Sequence, residues 1–384
     1  MNNIALKKTH SHKKIEISTV GRLIKDNVVL VIAISASLIT SLIVPPDKKY
    51  LEYFDLKTLS CLFCVLAVVC ALRNIKFFYT LAREIVRKFR NARVAILALV
   101  YITFIGSMLI ANDMALLTFL PLGYFILHTT KKEKYLAFTF IMQNIAANLG
   151  GMLTPFGNPQ NLYLYSKFNI PDGEFVTIMF PPFVLAIALI TVCCLVFVKR
   201  EDLQIEESDV RLPINRVIIY LALFAIAILM VFRFMPFWIG LIIIPLVLLV
   251  LDKDALLQVD YGLLFTFVFF FIFAGNMGRI EVVREFFSYL LNINTLVFSA
   301  VSCQLISNVP SAILLSQFTE NYRELLLGVN IGGAGTLIAS LASLITFKEY
   351  TKQEPGKVKE YIIKFSLFNF GFLIILTAFC LILT

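Results

Sequence analysis

Long apolar runs alternate with short basic loops along the whole chain. Several runs reach the roughly 18 to 20 residues that a helix needs to cross the hydrocarbon layer of a bilayer. The runs of the first half are Val28 to Val44, Leu56 to Leu72, Val94 to Leu127, Tyr135 to Tyr165 and Phe175 to Val198. Those of the second half are Val217 to Phe232, Phe237 to Leu251, Tyr261 to Met277, Thr295 to Phe318, Leu325 to Phe347 and Tyr361 to Leu383. The pattern predicts an all-α polytopic membrane protein.

The composition supports this prediction. Of the 384 residues, 59% are hydrophobic and 15% are charged, whereas about 25% of the residues in ordinary soluble domains are charged. A net charge of +9 is compatible with nucleic-acid binding, but the lysines and arginines lie in short loops and form no continuous basic stripe. They therefore predict membrane topology and no nucleic-acid partner.

The placement of these basic residues also predicts the domain order. We expect residues 1–26 to form a basic cytoplasmic tail, and 27–198 to form a first repeat with a leading transmembrane helix. The charged segment 199–216 is predicted to be a cytoplasmic linker, and 217–384 to be a second repeat. The expected location is the cytoplasmic (plasma) membrane, crossed several times, with the N-terminus in the cytoplasm and the lipid bilayer as a partner.

Two of the apolar runs are predicted to be re-entrant hairpins. Val94 to Leu127 has basic residues near both ends, so both ends should lie inside, with a turn at the polar "AND" of residues 111–113. Thr295 to Phe318 should turn at "SNVPS" with both ends outside. Each hairpin follows an amphipathic stretch, 78–90 or 282–291, that is predicted to be an interfacial helix. Such a hairpin is tolerated where its tip is buried in protein or faces a water-filled cavity.

The two halves match in letters as well as in pattern. "MLIANDMALLTFLP" (108–121) aligns with "QLISNVPSAILLSQ" (304–317), which places Asn112 on Asn308. "NLGGMLTPFGNPQN" (148–161) aligns with "NIGGAGTLIASLAS" (330–343). This second alignment places Asn148, Gly150, Gly151 and Thr154 on Asn330, Gly332, Gly333 and Thr336. We therefore predict two inverted-topology repeats, each with an interfacial helix, a re-entrant hairpin and a broken transmembrane helix, which is typical of secondary transporters with a midplane site.

Each break ends a half-helix at paired glycines and leaves its last carbonyls unpaired, an arrangement that suits a cation. At the first hairpin tip, the Asp113 carboxylate could ligate sodium, carry a coupling proton or cap the next helix. The residues predicted to bind or couple a cation are Asp113, Asn148, Gly151, Thr154, Asn330, Gly333 and Thr336. A sodium site is expected at Asn112, Asn148, Asn308 and Asn330, and no other cofactor is expected.

Beyond each break a half-helix restarts, at "NPQN" in one copy and at "SLAS" in the other. Its free N–H groups and positive dipole end suit an anion. The residues predicted to bind a small anionic substrate are Asn112, Asn158, Gln160, Asn161, Ser307, Asn308, Ser340 and Ser343. The alternatives are a plain helix kink and side-chain amides that only brace the broken backbone.

Motifs of membrane enzymes are absent from the sequence. It contains no H-E-x-x-H zinc motif, no G-x-S-x-G nucleophile elbow and no P-loop. The cysteines lie in apolar segments, where this residue behaves as a small hydrophobe, and the spacing of Cys61 and Cys64 has no second pair to complete a metal site. The sequence therefore predicts a protein that is not an enzyme.

Four segments resemble a known superfamily: "ANDMALLTFLP", "GNPQNLYLY", "SNVPS" and "NIGGAGTLIASLASL". They are similar to the ion transporters that include arsenite permeases, NhaD-type sodium/proton antiporters, citrate-transporter-like permeases and divalent-anion:sodium symporters. The similarity runs from about residue 50 to the C-terminus, and is greatest to the bacterial anion permeases near the arsenite and citrate-like proteins. It implies two inverted repeats, a scaffold part that forms a homodimer and a transport part that moves as an elevator.

The resemblance also bears on the site. In the anion:sodium symporters a Ser-Asn-Thr triplet at each hairpin tip contacts sodium and the substrate carboxylate. Here the two triplets are Ala111-Asn112-Asp113 and Ser307-Asn308-Val309, so a dicarboxylate substrate and two sodium sites do not carry over. The Asn-Asp tip is closer to the arsenite-permease and antiporter branch, which favours a proton on Asp113.

The sequence thus favours a secondary active transporter for a small anion, such as a carboxylate, coupled to sodium or protons. The alternatives within transport are a sodium/proton antiporter and an arsenite extrusion permease. From another class, a channel or a non-transporting membrane scaffold also remains open, because inverted repeats occur in both.

Overall fold

The computed structural model describes residues 28–203 and 212–383, and these residues are almost entirely helical. The helices of the first half are α1 (Val28–Ile43), α2 (Leu56–Asn74), α3 (Phe77–Arg87), α4 (Ala92–Ile110), α5 (Asn112–Thr129), α6 (Leu136–Gly150), α7 (Pro159–Lys167) and α8 (Asp172–Phe197). Those of the second half are α9 (Ile214–Val231), α10 (Phe237–Leu251), α11 (Lys253–Leu257), α12 (Tyr261–Arg279), α13 (Glu281–Ile293), α14 (Thr295–Ile306), α15 (Asn308–Leu315), α16 (Tyr322–Ile331), α17 (Leu341–Gln353) and α18 (Val358–Leu383).

Within the described ranges, seven helical segments are long and apolar enough to cross a membrane. Three further apolar helices, α1, α10 and α14, are shorter than the length usually needed for a full crossing. The prediction of an all-α polytopic membrane protein is confirmed. The predicted cytoplasmic tail, 1–26, lies outside the described residues, as do residues 204–211 of the predicted linker.

Two pairs of helices at matching places in the two halves agree in length. The last helices of the two halves, α8 and α18, both have 26 residues, and α2 and α12 both have 19. The hairpin helices differ, because α4 and α5 have 19 and 18 residues whereas α14 and α15 have 12 and 8. The amphipathic stretches form α3 and α13, each directly before a hairpin. The inverted orientation of the halves in a bilayer stays a prediction.

Both ends of the first hairpin meet the same short segment after α8. At the start of α4, the Ala92 N–H donates to the Glu201 carbonyl at 2.8 Å. Beyond the end of α5, the ammonium groups of Lys132 and Lys134 lie 2.7 and 2.6 Å from the Glu201 carboxylate. Hydrogen bonds from Lys132, Lys134 and Tyr135 lower the pKa of Glu201 to about 2. The hairpin therefore enters and leaves at one end of the molecule, which we call the inner end.

The second hairpin begins and ends at the opposite end, which we call the outer end. Phe287 of α13 packs against Phe298 near the start of the hairpin and stacks on Phe318 just after it. Glu174, at the first turn of α8, pairs with Arg323 at the start of α16. Because α8 has 26 residues and finishes at the inner end, its first turn lies about 35 Å away, at the outer end. The two hairpin tips therefore approach each other from opposite ends.

Candidate functional site

The two hairpin tips have the same backbone conformation. Ala111 has φ 64° and ψ 151°, and Ser307 has φ 73° and ψ 158°. Residues other than glycine are strained there by about 1–3 kcal/mol, so the surrounding structure must hold them in place. The next N–H in each tip is bound by the break of its own half: Asn112 donates to the Gly157 carbonyl at 3.2 Å, and Asn308 donates to the Ala339 carbonyl at 2.9 Å.

The tip asparagines act as local braces. Asn112 Oδ1 accepts the N–H of Asp113 at 2.9 Å, and Asn308 Oδ1 accepts the N–H of Val309 at 2.9 Å. Asn112 Nδ2 also donates to Asn148 Oδ1 at 3.1 Å, across to the first break. The side-chain oxygen of each tip asparagine thus binds the backbone at the start of the next helix, as a brace would. Nothing in these contacts tests the predicted roles of Asn112 and Asn308 in sodium or substrate binding.

The threonines of the two breaks also make equivalent contacts. Thr154 Oγ1 donates to the Met108 carbonyl at 2.7 Å, and Thr336 Oγ1 donates to the Gln304 carbonyl at 3.2 Å. Met108 and Gln304 are the aligned first residues of the two hairpin motifs. Each threonine thus holds its broken helix against the first helix of its own hairpin. The predicted role of both threonines in cation binding stays a prediction.

The breaks contact each other reciprocally. Asn148 Nδ2 donates to Ser340 Oγ at 3.0 Å, while Asn158 Nδ2 donates to Asn330 Oδ1 at 3.2 Å. Asn148 is aligned with Asn330, and Asn158 with Ser340, so one contact becomes the other when the halves are exchanged. Such reciprocity is expected at a contact between two parts related by a twofold axis. Asn148 Nδ2 also lies 3.4 Å from the carbonyl of Gly333.

Asn330 organises the amides of the first break. Its Oδ1 accepts from Asn158 and from Gln160, the latter at 3.3 Å, and its Nδ2 donates to Asn161 Oδ1 at 2.6 Å. Asn161 Nδ2 in turn lies 3.2 Å from each of the carbonyls of Gly151, Met152 and Thr154. Asn161 therefore braces the broken backbone and is fully buried.

Ser343 occupies the corresponding place in the second break. Its hydroxyl accepts from Asn144 Nδ2 at 3.3 Å and hydrogen bonds to Ser340 Oγ at 2.9 Å. Both serines are buried, and both hold the second broken helix against the first. Their predicted contact with substrate is not tested by this arrangement, in which their hydroxyls are already engaged.

A cavity of about 490 Å³ lies between the two tips, and its wall also includes Val28 of α1 and Lys348 of α17. Of the predicted site residues, the wall contains Asn112, Asp113, Gln160, Ser307 and Asn308. The others lie behind the wall: Asn148, Gly151, Thr154, Asn158, Asn161, Asn330, Gly333, Thr336, Ser340 and Ser343. The structure thus brings both tips to one cavity, with the breaks as their support.

Four helices begin at this cavity. Its wall includes the first residues of α5, α7, α15 and α17, namely Asn112, Pro159, Asn308 and Leu341. The start of a helix carries a partial positive charge of roughly half an elementary charge, which acts on the cavity even where the first N–H groups are bonded within the protein. The backbone therefore makes the cavity favourable for an anion.

The side chains add charges of both signs. In the described part of the chain, the charged groups on the wall are Asp113, Asp260 and Lys348. Two oxygens on the wall have no hydrogen-bond partner among the described residues: Asp113 Oδ1 and Gln160 Oε1. A buried oxygen of this kind is stabilised by a proton or by a cation, because its burial without a partner costs about 1–3 kcal/mol.

Comparison with known proteins bears directly on this site. A family model described as citrate transporter matches residues 18–321. The chain belongs to the citrate transporter family. The matched region contains both hairpin tips and the first break, and therefore most of the cavity wall.

Two relatives of this citrate transporter family member are similar over most of their length. An uncharacterized transporter of Methanocaldococcus jannaschii is 34% identical over 293 residues, which cover 76% of this chain and 80% of the relative. The inner membrane protein YbiR of Escherichia coli is 29% identical over 283 residues, covering 71% and 74%. Membership in the family and the helical membrane fold together identify the chain as a membrane transporter.

Sequence reasoning missed two charged residues on the wall. Asp260 immediately precedes α12, where its carboxylate accepts the Leu263 N–H at 2.8 Å, and Lys348 lies on α17. Both stand near the end of an apolar run, where charged residues usually face the membrane surface. The signal that could have drawn attention to Asp260 is its position relative to Asp55, because each precedes a helix of 19 residues at a matching place in its half.

Proposed function

We propose that this citrate transporter family member is a secondary active transporter that moves a small carboxylate anion, coupled to protons or sodium, without chemical conversion of its substrate. The observation that carries the proposal is the cavity between the tips, where four helix starts meet beside the Asp113 carboxylate. The description of the matched family, citrate transporter, supports a carboxylate as the class of substrate.

Coupling follows from the charges in the cavity. An anion attracted by the four helix starts approaches the carboxylates of Asp113 and Asp260, which repel it in a site of low dielectric constant. A proton or a sodium ion on Asp113 removes the part of this repulsion that comes from Asp113. Binding of the anion and of the cation therefore favour each other, which is the thermodynamic requirement for symport. Asp113 is the coupling residue in this proposal, and Gln160 Oε1 supplies a neutral oxygen nearby.

A sodium/proton antiporter is the second candidate. It is favoured by the excess of carboxylates over lysine on the described cavity wall and by the unpartnered oxygen of Asp113. Both features suit alternate binding of sodium and protons without any anion. The arsenite extruder has no comparable support from the side chains on the wall.

The transport movement is proposed to be of the elevator type. Hydrogen bonds join each tip to its break and the breaks to each other, so hairpins and broken helices form one unit. Outside this unit, α1 runs beside α12, and Asn276 of α12 donates to Thr40 of α1 at 3.2 Å. We propose that the first group moves against a static second group. We place the protein in the plasma membrane as a homodimer, with the inner end in the cytoplasm.

The test is uptake into proteoliposomes of a labelled panel of citrate, dicarboxylates and monocarboxylates, under imposed proton or sodium gradients. We expect saturable uptake of at least one carboxylate, faster under one of the two gradients. Asp113→Asn should retain the fold and lose the gradient dependence. The matched control is Asp252→Asn, since Asp252 caps α11 outside the cavity and asparagine caps equally well.

The antiporter is distinguished in the same vesicles without any anion. A pH-sensitive dye inside the vesicles should show no proton flux when sodium is added alone, if the symport proposal holds. Sodium-driven proton flux in the absence of anions, together with no uptake of any carboxylate, would replace the symporter with the antiporter.

A further inference from the structure

A second cavity, of about 290 Å³, lies at the outer end. It is lined by polar residues that include Glu52, Asp55, Tyr163, Ser166, Lys167 and Gln317. Helix α7 contributes to both cavities, since Gln160 lies on the wall of the inner one and Tyr163 on the wall of the outer one. These residues are three positions apart, or about 4.5 Å along the helix. The two cavities therefore approach the same point from opposite ends.

Three residues of the outer wall, Asp55, Tyr163 and Ser166, have their equivalents on the inner wall. In the alignment that places Asn148 on Asn330, Ile345 and Lys348 of the inner wall correspond to Tyr163 and Ser166 of the outer wall. The charges agree as well: the described inner wall has two carboxylates and one lysine, and so does the outer wall, with Glu52, Asp55 and Lys167. The structure thus repeats the charge balance of the inner cavity at the outer end.

Asp55 and Asp260 are the equivalent carboxylates. Asp55 caps α2 by accepting the Thr58 N–H at 2.9 Å, and Asp260 caps α12 by accepting the Leu263 N–H at 2.8 Å. Among the described residues neither makes an ion pair. Each lies on the wall of one cavity, and both cap helices outside the group of hairpins and broken helices.

A barrier separates the outer cavity from the tips. Tyr163 is 2% exposed, its hydroxyl lies 2.8 Å from Ser316 Oγ, and its ring packs against Phe271. The inner cavity, in contrast, reaches Asn112 and Asn308 directly. Among the described residues, the inner cavity thus reaches both tips, whereas the outer cavity reaches neither.

A second observation at the inner cavity points to a cation. Gln160 is 1% exposed, lies on the wall, and has an Oε1 without a partner among the described residues. Its amide nitrogen donates one N–H to Asn330 Oδ1 at 3.3 Å, while Oε1 stays available as an acceptor. The carboxylates of Asp113 and Asp260 outnumber the one lysine on the described wall, and with this oxygen they offer acceptors to a small cation.

We propose that Asp260 and Asp55 are paired recruiting residues for the coupling cation, Asp260 for the inner side and Asp55 for the outer side. The inference rests on the proposed cation-coupled transport and adds residues on the static part of the protein. In this structure Asp260 lies on the wall of the cavity that reaches both tips. When the tips move toward the outer end, Asp55 takes the corresponding place beside the second tip, where Val309 is aligned with Asp113.

The experiment compares Asp260→Asn and Asp55→Asn in vesicles of known protein orientation. Asparagine is as good a helix cap as aspartate, so each change removes the charge and keeps the cap. Asp252→Asn is the control, because Asp252 caps α11 at the inner end and lies on neither wall. The measured quantity is the cation concentration that gives half-maximal uptake when the cation, sodium or the proton, is varied on one side only.

We expect Asp260→Asn to raise this concentration about tenfold on the inner side and to leave the outer value unchanged. Asp55→Asn should do the reverse, and Asp252→Asn should change neither value. Equal effects on both sides, or no effect beyond that of Asp252→Asn, would overturn the inference while wild-type uptake still supports the proposed function. A wild-type protein without cation-dependent flux would overturn the proposed function and this inference together.

Discussion

The two tip-and-break units share a backbone arrangement and differ in the side chains placed on it. Both tips turn at a positive φ, and both threonines hold the hairpin backbone. The first unit then carries Asp113 and the amides of Asn158, Gln160 and Asn161, whereas the aligned positions of the second are Val309, Ser340, Ala342 and Ser343. The residues shared by the two units fix the backbone of the tips and breaks. The residues that differ supply the charge and the contacts between the halves. The predictions below separate these two groups.

The largest effect is expected for a shared glycine. In Gly150→Ala the new Cβ would lie 2.2 Å from the Phe104 carbonyl oxygen, which belongs to the backbone of α4 and cannot rotate away. We expect a loss of folded protein, measured as the yield of monodisperse protein in detergent. Gly173→Ala, with nothing within 4 Å of the added atom, is the control and should be unchanged. Normal yield of Gly150→Ala would show that the close approach of α4 and α6 is not required.

The asparagines of the breaks should differ in their contribution to stability. Asn330→Ala removes a side chain that contacts three amides of the first unit, and takes from Gln160 Nε2 and Asn161 Oδ1 their partner. We expect a loss of about 2–4 kcal/mol of stability. Asn148→Ala should cost less, because its partner in the second unit is a single serine hydroxyl, with a longer contact to Gly333. Thermal unfolding of the two variants side by side gives the order, and the opposite order would contradict the asymmetry.

Gln160 tests the unshared chemistry. Gln160→Ala copies Ala342, its counterpart in the second unit, and removes an oxygen from the cavity wall. We expect the KM for the anion or the cation to rise about tenfold, as for loss of one favourable contact. The unfolding temperature should fall much less than in Asn330→Ala. A variant with unchanged uptake would assign Gln160 to bracing alone.

The shared tip conformation predicts a gain of stability. Ala111→Gly places at φ 64° a residue that adopts this conformation without strain, so we expect stabilisation by about 1 kcal/mol. Ser307→Gly should gain less, since it also loses the hydroxyl that lies 3.4 Å from the Ala339 carbonyl. Differential scanning fluorimetry of both variants is sufficient. Destabilisation of both would contradict the strained conformation assigned to the tips.

The smallest effect on stability is expected for Glu201, which holds the two ends of the first hairpin together. Because its pKa is lowered, ionised Glu201 stabilises the fold above its ordinary pKa of about 4.3, and this contribution disappears as the pH falls through about 2. We expect Glu201→Gln to lower the unfolding temperature slightly near pH 7 and to match wild type near pH 2. Glu360→Gln, which removes an ion pair within one helix, is the control. The aromatic contacts of the second hairpin should show no such pH dependence.

The motif pairing predicts a large part of this arrangement. Asparagine, two glycines and threonine recur at each break, and an asparagine recurs at each tip, so the positions of both tips and both breaks follow from the letters. The lengths of the hairpin helices cannot be predicted from these motifs, because the apolar pattern of a run does not show where along it each helix begins and ends. As a result, α14 and α15 are much shorter than α4 and α5.

The roles within the site are harder to predict than its place. Asn158, Gln160 and Asn161 are consecutive amides around one proline, and nothing in their order shows that Gln160 lies on the cavity wall while Asn161 binds three backbone carbonyls. Asp260 and Lys348 stand at the ends of apolar runs, and only the packing of α12 and α17 brings them to the cavity. The role of each of these residues depends on the direction in which its side chain points, and the sequence does not show that direction.

The central claim is that the transported anion binds between the two hairpin tips, at the starts of the four helices. The most direct measurement is a structure of the protein with the transported carboxylate bound. The account predicts ligand density in the inner cavity, beside the first turns of α5 and α15 and next to Asp113. Density confined to the outer cavity, or to a site between α8 and α18, would contradict it.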